Sequence, residues 1–506
     1  MKALKQNVLM FLCFNVLMIF MRYRSTWILA LILIIGFFVR LYRINAPLGD
    51  WHSWRQADTA AVTREYVQNG IDLLRPRYMD LSSIPSGKDN PQGWRMVEFP
   101  VVNGLAAGII REIGGIREIE GIGELVVWER LVSIVFSLGS IVFLFLIAGR
   151  LSGERVGLIA AAVMAVLPYN IYYSRVILPE VPLVFFSLAA LYFSVRYFLS
   201  DKHSVISVSF WLSAGCAAIA LLLKPYAIFL AFPILYLGWK QCRTDLLKSI
   251  KSYVWLALVI LPFLLWRVWI SQFPEGTPAF TWLLNGNGIR FKGAFFRWIF
   301  ADRLGRLILG YFGLFPLGIG LIVKPTDKEG WFYRWWGLGI LAYLTVFATG
   351  NVQHDYYQII TIPIISIYVA KGIDWLLKPP PAISRSASYG AVAVTILFTL
   401  AFGWFHIRDY FNINHPEIVE AGRAADRVVP PAARVIAPYD GDTAFLFQTN
   451  RKGWPIGGAI DDKISKGATH YASVRFDEET RGLMEKCQVM VKTEKYVIID
   501  LGKCSD

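Results

Sequence analysis

Apolar runs recur along the chain from about residue 26 to residue 405. Several are roughly 17–22 residues long, which is what a helix needs to cross a bilayer core. The pattern predicts spans at 26–43, 131–149, 156–170, 178–198, 206–223, 226–239, 252–270, 304–323, 335–350, 356–377 and 388–405. An earlier apolar run, 7–21, is closed by Arg22 and Arg24, and a stronger span follows at once. Residues 1–25 therefore read as a cytoplasmic or interfacial leader, or as an upstream start. No small-residue cleavage site follows the run, which speaks against a cleaved signal peptide.

If the first predicted span runs outward, every inner turn is basic. The inner connections carry Arg150 and Arg155; Arg196 and Lys202; Lys240, Arg243, Lys248 and Lys251; Lys324, Lys328 and Arg334; and Lys371, Lys378 and Arg385. Cytoplasmic loops collect Lys and Arg, so the expectation is about eleven helices with an inside N-terminus and an outside C-terminus. Three polar stretches then face outward: 44–128, 271–302 and 406–506. The first has turn signals at Ser86-Gly87 and Asn90-Pro91. In the second, Phe295-Phe296-Arg297-Trp298 suits a helix lying in the interface. The third alternates helix-like runs (417–428 and 478–487) with strand-like ones (433–438, 470–474 and 496–501), as a small α/β domain does. The expected fold is mostly α: a transmembrane domain over 26–405, followed by a soluble extracytoplasmic α/β domain over 406–506.

Composition agrees. The 506 residues are 55% hydrophobic and only 17% charged, where a soluble chain carries nearer a quarter. The net charge of +14 is accounted for by topology and solubility, so it does not point to a nucleic-acid partner. The five cysteines show no metal-binding spacing. Cys13, Cys216 and Cys242 fall in or beside apolar segments, and a disulfide between Cys487 and Cys504 is open.

Chemistry concentrates where predicted spans meet water on the outer side. Asp50-Trp51-His52-Ser53-Trp54-Arg55-Gln56-Ala57-Asp58-Thr59 places two carboxylates, an imidazole and a guanidinium just past the first span. Ionisable groups near hydrocarbon are costly unless they have partners or a task. A helix beginning near Arg55 presents Arg55, Asp58 and Val62 on one face. Asp50 or Asp58 can take a proton from an incoming nucleophile, or can instead cap the helix. Glu98, in Glu98-Phe99-Pro100, either positions an acceptor or pairs with Arg55. Glu180 lies between Pro179 and Pro182, downstream of Tyr173-Ser174-Arg175, and Arg175 suits a phosphate. Lys224-Pro225-Tyr226 sets a lysine on the outer side, against the charge trend, so an anionic partner is expected. His354-Asp355-Tyr356-Tyr357 adds an imidazole, a carboxylate and two phenols at the same level. Interfacial anchoring or plain ion pairing is the competing explanation for each group, but four clusters converge on one face. Walker and GxSxG motifs are missing from any suitable context.

These motifs resemble the GT-C membrane glycosyltransferases, specifically the branch with protein O-mannosyltransferases and lipid A aminoarabinose transferases. The resemblance covers roughly 26–380. It rests on the acid and outer helix over Asp50–Asn69, on Glu98-Phe99-Pro100, on Arg130 opening a span with Tyr173-Ser174-Arg175 and Leu178-Pro179-Glu180, and on His354-Asp355-Tyr356-Tyr357. It implies a polyprenyl-phosphate-linked sugar donor, inverting transfer to a lipid, glycan or protein acceptor, and an outer-loop Asp as general base. Asp50 would be that base and Glu180 a second acid, with Arg175 and Lys224 on the phosphate. His52, Arg55, Glu98, His354, Tyr356 and Tyr357 would line the substrate site. Two positions depart from the pattern. Trp54-Arg55-Gln56-Ala57-Asp58 replaces the usual acid-acid pair, which leaves Asp58 as an alternative base. Phe99 replaces a phosphate-binding lysine, which argues against aminoarabinose itself. No cofactor is implied, and a divalent ion shared by Asp50 and Glu180 is left open. A bacterial inner membrane is the expected location. The alternatives are a lipid or glycan transporter with a charged outer cavity, disfavoured because no inverted repeat is visible, and a carbohydrate-binding scaffold.

Overall fold

The computed structural model describes residues 24–113, 121–200 and 206–505. Almost all of the expected leader at 1–25 lies outside them. Within the described residues, each predicted span falls on helix. Residues 24–40 form the first helix. It is followed by Ile122–Ser152, Glu154–Val166, Glu180–Phe198, Val208–Leu223, Ala231–Cys242, Ile250–Ile270, Leu314–Ile322, Phe332–Val346, Ile362–Leu376 and Arg385–Ile407. Among the described residues, five helical stretches are long and apolar enough to cross a membrane by themselves: Ile122–Ser152, Glu180–Phe198, Ile250–Ile270, Asp355–Leu376 and Arg385–Val428.

The breaks follow the sequence. Pro168 ends one helix and opens the short Pro168–Tyr173 turn, and Pro225 opens a 3-10 segment, Pro225–Leu230. In both cases a proline cannot donate to the preceding turn. Close helix crossing depends on glycine. A Cβ at Gly372 would sit 1.9 Å from the Pro316 carbonyl oxygen, and one at Gly320 would sit 1.8 Å from that of Tyr368. Leu314–Ile322 and Ile362–Leu376 therefore touch backbone to backbone. Ile250–Ile270 and Arg385–Ile407 leave most of their apolar side chains exposed or half-buried, as lipid-facing helices do.

The stretch from 44 to 128 is more structured than a loop. It holds the helices Ser53–Asn69 and Val101–Ile113, and its last residues already belong to the Ile122–Ser152 helix, well before the expected start at 131. At its base, buried Arg40 donates through Nε to Ser174 Oγ (2.6 Å) and through Nη1 to the carbonyls of Gly36 and Ala165 (2.8 and 2.9 Å). That contact fastens the end of the first helix to two others.

The C-terminal domain carries five strands: β1 (Arg434–Ile436), β2 (Lys452–Trp454), β3 (Ala468–Ser473), β4 (Cys487–Lys492) and β5 (Val497–Cys504). Their spatial order is β2-β1-β3-β5-β4. β1 pairs in parallel with β2 and β3, and β5 runs antiparallel to β3 and β4. β1, β3, β5 and both expected helices lie where the alternation placed them. β2 and β4 were missed: one is three residues ending at a proline, the other an edge strand whose outward residues are exposed. Cys487 and Cys504 form a disulfide. The free edge of β2 is covered by the outer stretch, with Gly453 N donating to Met79 O (2.9 Å) and Leu81 N to Gly453 O (2.8 Å). Covering a sheet edge removes its unpaired backbone groups from water, and here it also docks the domain on the membrane half.

Candidate active site

Asp50 leaves the first helix through a turn in which Arg43 adopts positive φ. Its side chain is wholly buried: Oδ2 pairs with Arg175 Nη2 at 2.9 Å and Arg130 Nη2 at 3.3 Å. Gln56 Nε2 donates to Oδ1 at 2.8 Å. Arg175 is equally closed off, donating to Arg43 O (3.0 Å) and lying over the Phe411 ring (4.8 Å). A carboxylate and two guanidiniums in a dry interior persist only because they satisfy one another. The group ties four segments together and presents no open face to a substrate.

Asp355 is a second buried hub. Its carboxylate accepts from Tyr173 OH (2.5 Å), Tyr410 OH (2.6 Å) and Trp51 Nε1 (3.2 Å), and His52 Nε2 lies 2.7 Å away. Tyr169 OH donates to the Asp355 carbonyl at 2.6 Å. His52 thereby stands edge-on to Tyr356, with centroids 5.0 Å apart. Tyr356 stacks on Tyr357 (4.8 Å) and on His354 (5.4 Å). Together they form an aromatic wall.

Beside that wall lies a small cleft, partly open to solvent, whose lining includes Arg55, Asp58, Thr59, Arg95, Glu98, Asn103 and Glu129. The Ser53–Asn69 helix supplies the first three. Its N-cap is His52, in the left-handed region and without a side-chain cap bond, so neither Asp50 nor Asp58 is used for capping. Arg55, Asp58 and Val62 do share the cleft-facing stripe, as helical spacing requires. Asp58 Oδ2 pairs with Arg95 Nη2 at 2.8 Å, and its Oδ1 accepts from Thr443 OH at 2.7 Å. Glu98 is shared between Arg55 and Lys224, the latter at 2.6 Å. Lys224 also reaches Glu180 Oε1 at 3.1 Å, where Tyr226 OH donates (3.1 Å). Burial by itself would raise the Glu98 carboxyl, but the adjacent Arg55 and Lys224 charges outweigh it and hold Glu98 well below the usual carboxylate range.

The expected residues thus divide into three groups. Arg55, Asp58 and Glu98 line the cleft, and Lys224 and Glu180 adjoin it through Glu98. His52, His354, Tyr356 and Tyr357 form the neighbouring wall, while Asp50 and Arg175 are locked together beneath. The anionic partner expected for Lys224 is a pair of protein carboxylates. Arg95, Asn103, Glu129 and Thr443 were not singled out from sequence. Arg95 stands in an ordinary Trp-Arg-Met stretch, and Thr443 is 385 residues from Asp58, so no local pattern announces either one. Glu129, next to Arg130 in a helix otherwise apolar around it, is the one that charge in a predicted membrane helix could have flagged. Among the described residues no three His, Cys, Asp or Glu side chains gather as a metal-ligand set, and Asp50 and Glu180 hold cations instead.

A sequence profile of the family described as dolichyl-phosphate-mannose-protein mannosyltransferase matches residues 116–269. No curated protein matches the chain by sequence. Among solved structures, ArnT from Cupriavidus metallidurans bound to undecaprenyl phosphate superposes with a TM-score of 0.63 at 13% identity, covering 94% of this chain and 97% of that one. The archaeal oligosaccharyltransferase AglB from Archaeoglobus fulgidus, in complex with an inhibitory peptide and a dolichol-phosphate, gives a TM-score of 0.55 at 10% identity, over 90% of this chain and 70% of that one. The chain therefore shares the fold of these two structures over nearly its whole length.

Proposed function

We propose that this chain of GT-C fold is a membrane glycosyltransferase. It moves a sugar from a polyprenyl-phosphate-linked donor to an acceptor at the outer face of the membrane, with inversion, and Asp58 is the general base. The observation that carries this reading is the juxtaposition on the Ser53–Asn69 helix. A carboxylate for the acceptor and a guanidinium for the departing phosphate sit one turn apart, both lining one cleft. A hydroxyl is a poor nucleophile until a carboxylate takes its proton, an effect worth about 10²–10⁴-fold. The leaving polyprenyl phosphate gains negative charge as the glycosidic bond breaks, and pre-positioned Arg55 and Lys224 offset it. Glu98 holds these two cations together, so the phosphate meets a site already organised.

Asp50, the other candidate base, becomes a positioning residue: through Gln56, Arg130 and Arg175 it fixes where the Ser53–Asn69 helix starts. Glu180 orients Lys224 and Tyr226. The same reading carries about eleven transmembrane helices, a cytoplasmic N-terminus, an extracytoplasmic C-terminal domain and a bacterial inner membrane. Its supports are the basic inner turns and the Cys487–Cys504 disulfide, a bond that persists in oxidising compartments.

The test uses the purified full chain in lipid nanodiscs with a panel of polyprenyl-phosphate-linked monosaccharides, following release of polyprenyl phosphate with membrane extract as acceptor source. Turnover by wild type, and its loss in Asp58→Asn with donor binding retained, is the expected result. A wild type that consumes no donor, or an Asp58→Asn variant that matches it, overturns the reading.

A further inference from the structure

The cleft contains one acid whose electrostatics the reading above does not use. Glu129 lies in the Ile122–Ser152 helix, is 4% exposed and lines the cleft. The other carboxylates of the cleft each have a cation: Asp58 has Arg95, and Glu98 has Arg55 and Lys224. Glu129 has no ion pair among the described residues, and its Oε2 has no hydrogen-bond partner there. The neutral groups of the same lining are tied to one another. Asn103 Nδ2 donates to the Thr59 carbonyl (2.9 Å) and to Thr63 Oγ (3.0 Å). Glu129 therefore keeps one oxygen unpaired in a lining it shares with Ser133 and the apolar Val132 and Leu223. A buried acceptor left without a donor is costly, and native structures keep such groups where a ligand completes them.

We infer that Glu129 is a specificity-determining residue that accepts a hydrogen bond from a ring hydroxyl of the donor sugar. The inference rests on the transferase reading, because the cleft must hold a glycosyl group for that oxygen to be met. The apolar side chains of the lining suit the C–H face of a pyranose or furanose ring, while Glu129 and Ser133 supply its polar edge. One recognised hydroxyl should discriminate a donor from its deoxy counterpart by roughly three- to tenfold, the size of one hydrogen bond.

The experiment measures kcat/KM for the monosaccharide donor that wild type uses best and for a set of its monodeoxy analogues, in wild type, Glu129→Gln and Glu129→Leu. Thermal unfolding of each variant in nanodiscs shows that it is folded. The expected result is one deoxy donor that wild type disfavours by that factor and that Glu129→Leu no longer distinguishes from its parent, with Glu129→Gln intermediate. The non-additive pattern isolates the contact. Turnover by wild type with an unchanged deoxy profile in both folded variants overturns the inference alone. If Glu129→Leu does not fold, Glu129→Gln decides on the same criterion. If wild type releases no polyprenyl phosphate from any donor, the transferase reading and this inference fall together.

Discussion

Two aspartates eight residues apart sit in opposite surroundings, and those surroundings rather than residue type underlie the different roles proposed for them. Asp50 is saturated by two guanidiniums and an amide in a dry interior, whereas Asp58 faces a cleft and keeps one cation and one hydroxyl. Removing the charge at Asp50 leaves Arg130 and Arg175 buried without their partner, a change that costs about 3–5 kcal/mol in comparable pairs. Asp50→Asn is therefore expected to lower the unfolding temperature in detergent markedly and to lose activity in proportion to unfolded protein. Asp58→Asn should differ in kind: Arg95 lines the cleft and still lies over the Tyr78 ring, and turnover should fall by about 10²–10⁴-fold, far more than any loss of folded protein accounts for. Measuring melting and rate on the same preparations separates the two roles, and a pair of variants with matching profiles would refute the assignment.

At the scale of elements, the Ser53–Asn69 helix and the short Thr443–Gln448 helix of the C-terminal domain are joined where the proposed chemistry lies. Thr443 holds Asp58, Arg64 reaches Asn450 (3.2 Å), and Lys452 pairs with Glu65 (2.9 Å). Thr443→Val should lower kcat by about tenfold, the worth of one hydrogen bond to a charged group, with Thr443→Ser restoring it. Retained wild-type kcat in Thr443→Val would show that the contact is only structural. The cap of the same short helix makes a pH prediction. Burial pushes the Asp442 carboxyl up to about 6 from an ordinary value of 3.8, even though its side chain accepts from Ala444 N and that bond pulls it down. The folded state then holds a proton that the unfolded chain has released. The stability this group contributes is complete below about pH 4 and declines as pH rises through about 6. Asparagine keeps the capping oxygen without the charge. The difference in melting temperature, Asp442→Asn minus wild type, should therefore grow between pH 4 and 6 and level off above. A difference that is flat across that window contradicts the assignment.

For the whole molecule, the docking of the C-terminal domain changes how its role must be tested. Deleting it would strip Thr443 from Asp58 and leave the backbone of Met79 and Leu81 without its Gly453 partner, so loss of activity in a truncated chain says nothing about acceptor choice. Orientation can be tested in intact cells. Ser465→Cys, exposed on the domain, should react with a membrane-impermeant maleimide added from outside. Lys248→Cys, exposed in a basic turn, should react only after permeabilisation. The opposite labelling pattern would invert the topology and remove the outer face from the proposed reaction.

By itself the sequence determined what periodicity and local charge can carry. Apolar run length placed the long apolar helices, and period-two alternation found β1, β3 and β5. Helical spacing put Arg55, Asp58 and Val62 on one face, and the four outer clusters do meet. Tertiary structure alone decided which of those groups is open to a substrate. Whether Asp50 or Asp58 is sealed depends on Arg130 and Arg175, which arrive from 80 and 125 residues away. Whether Lys224 stands alone depends on Glu98 and Glu180. Local patterning encodes which groups are costly in an apolar setting, but only the packed chain sets the distances at which they neutralise one another. At those distances each charge becomes either a structural pair or a reactive group.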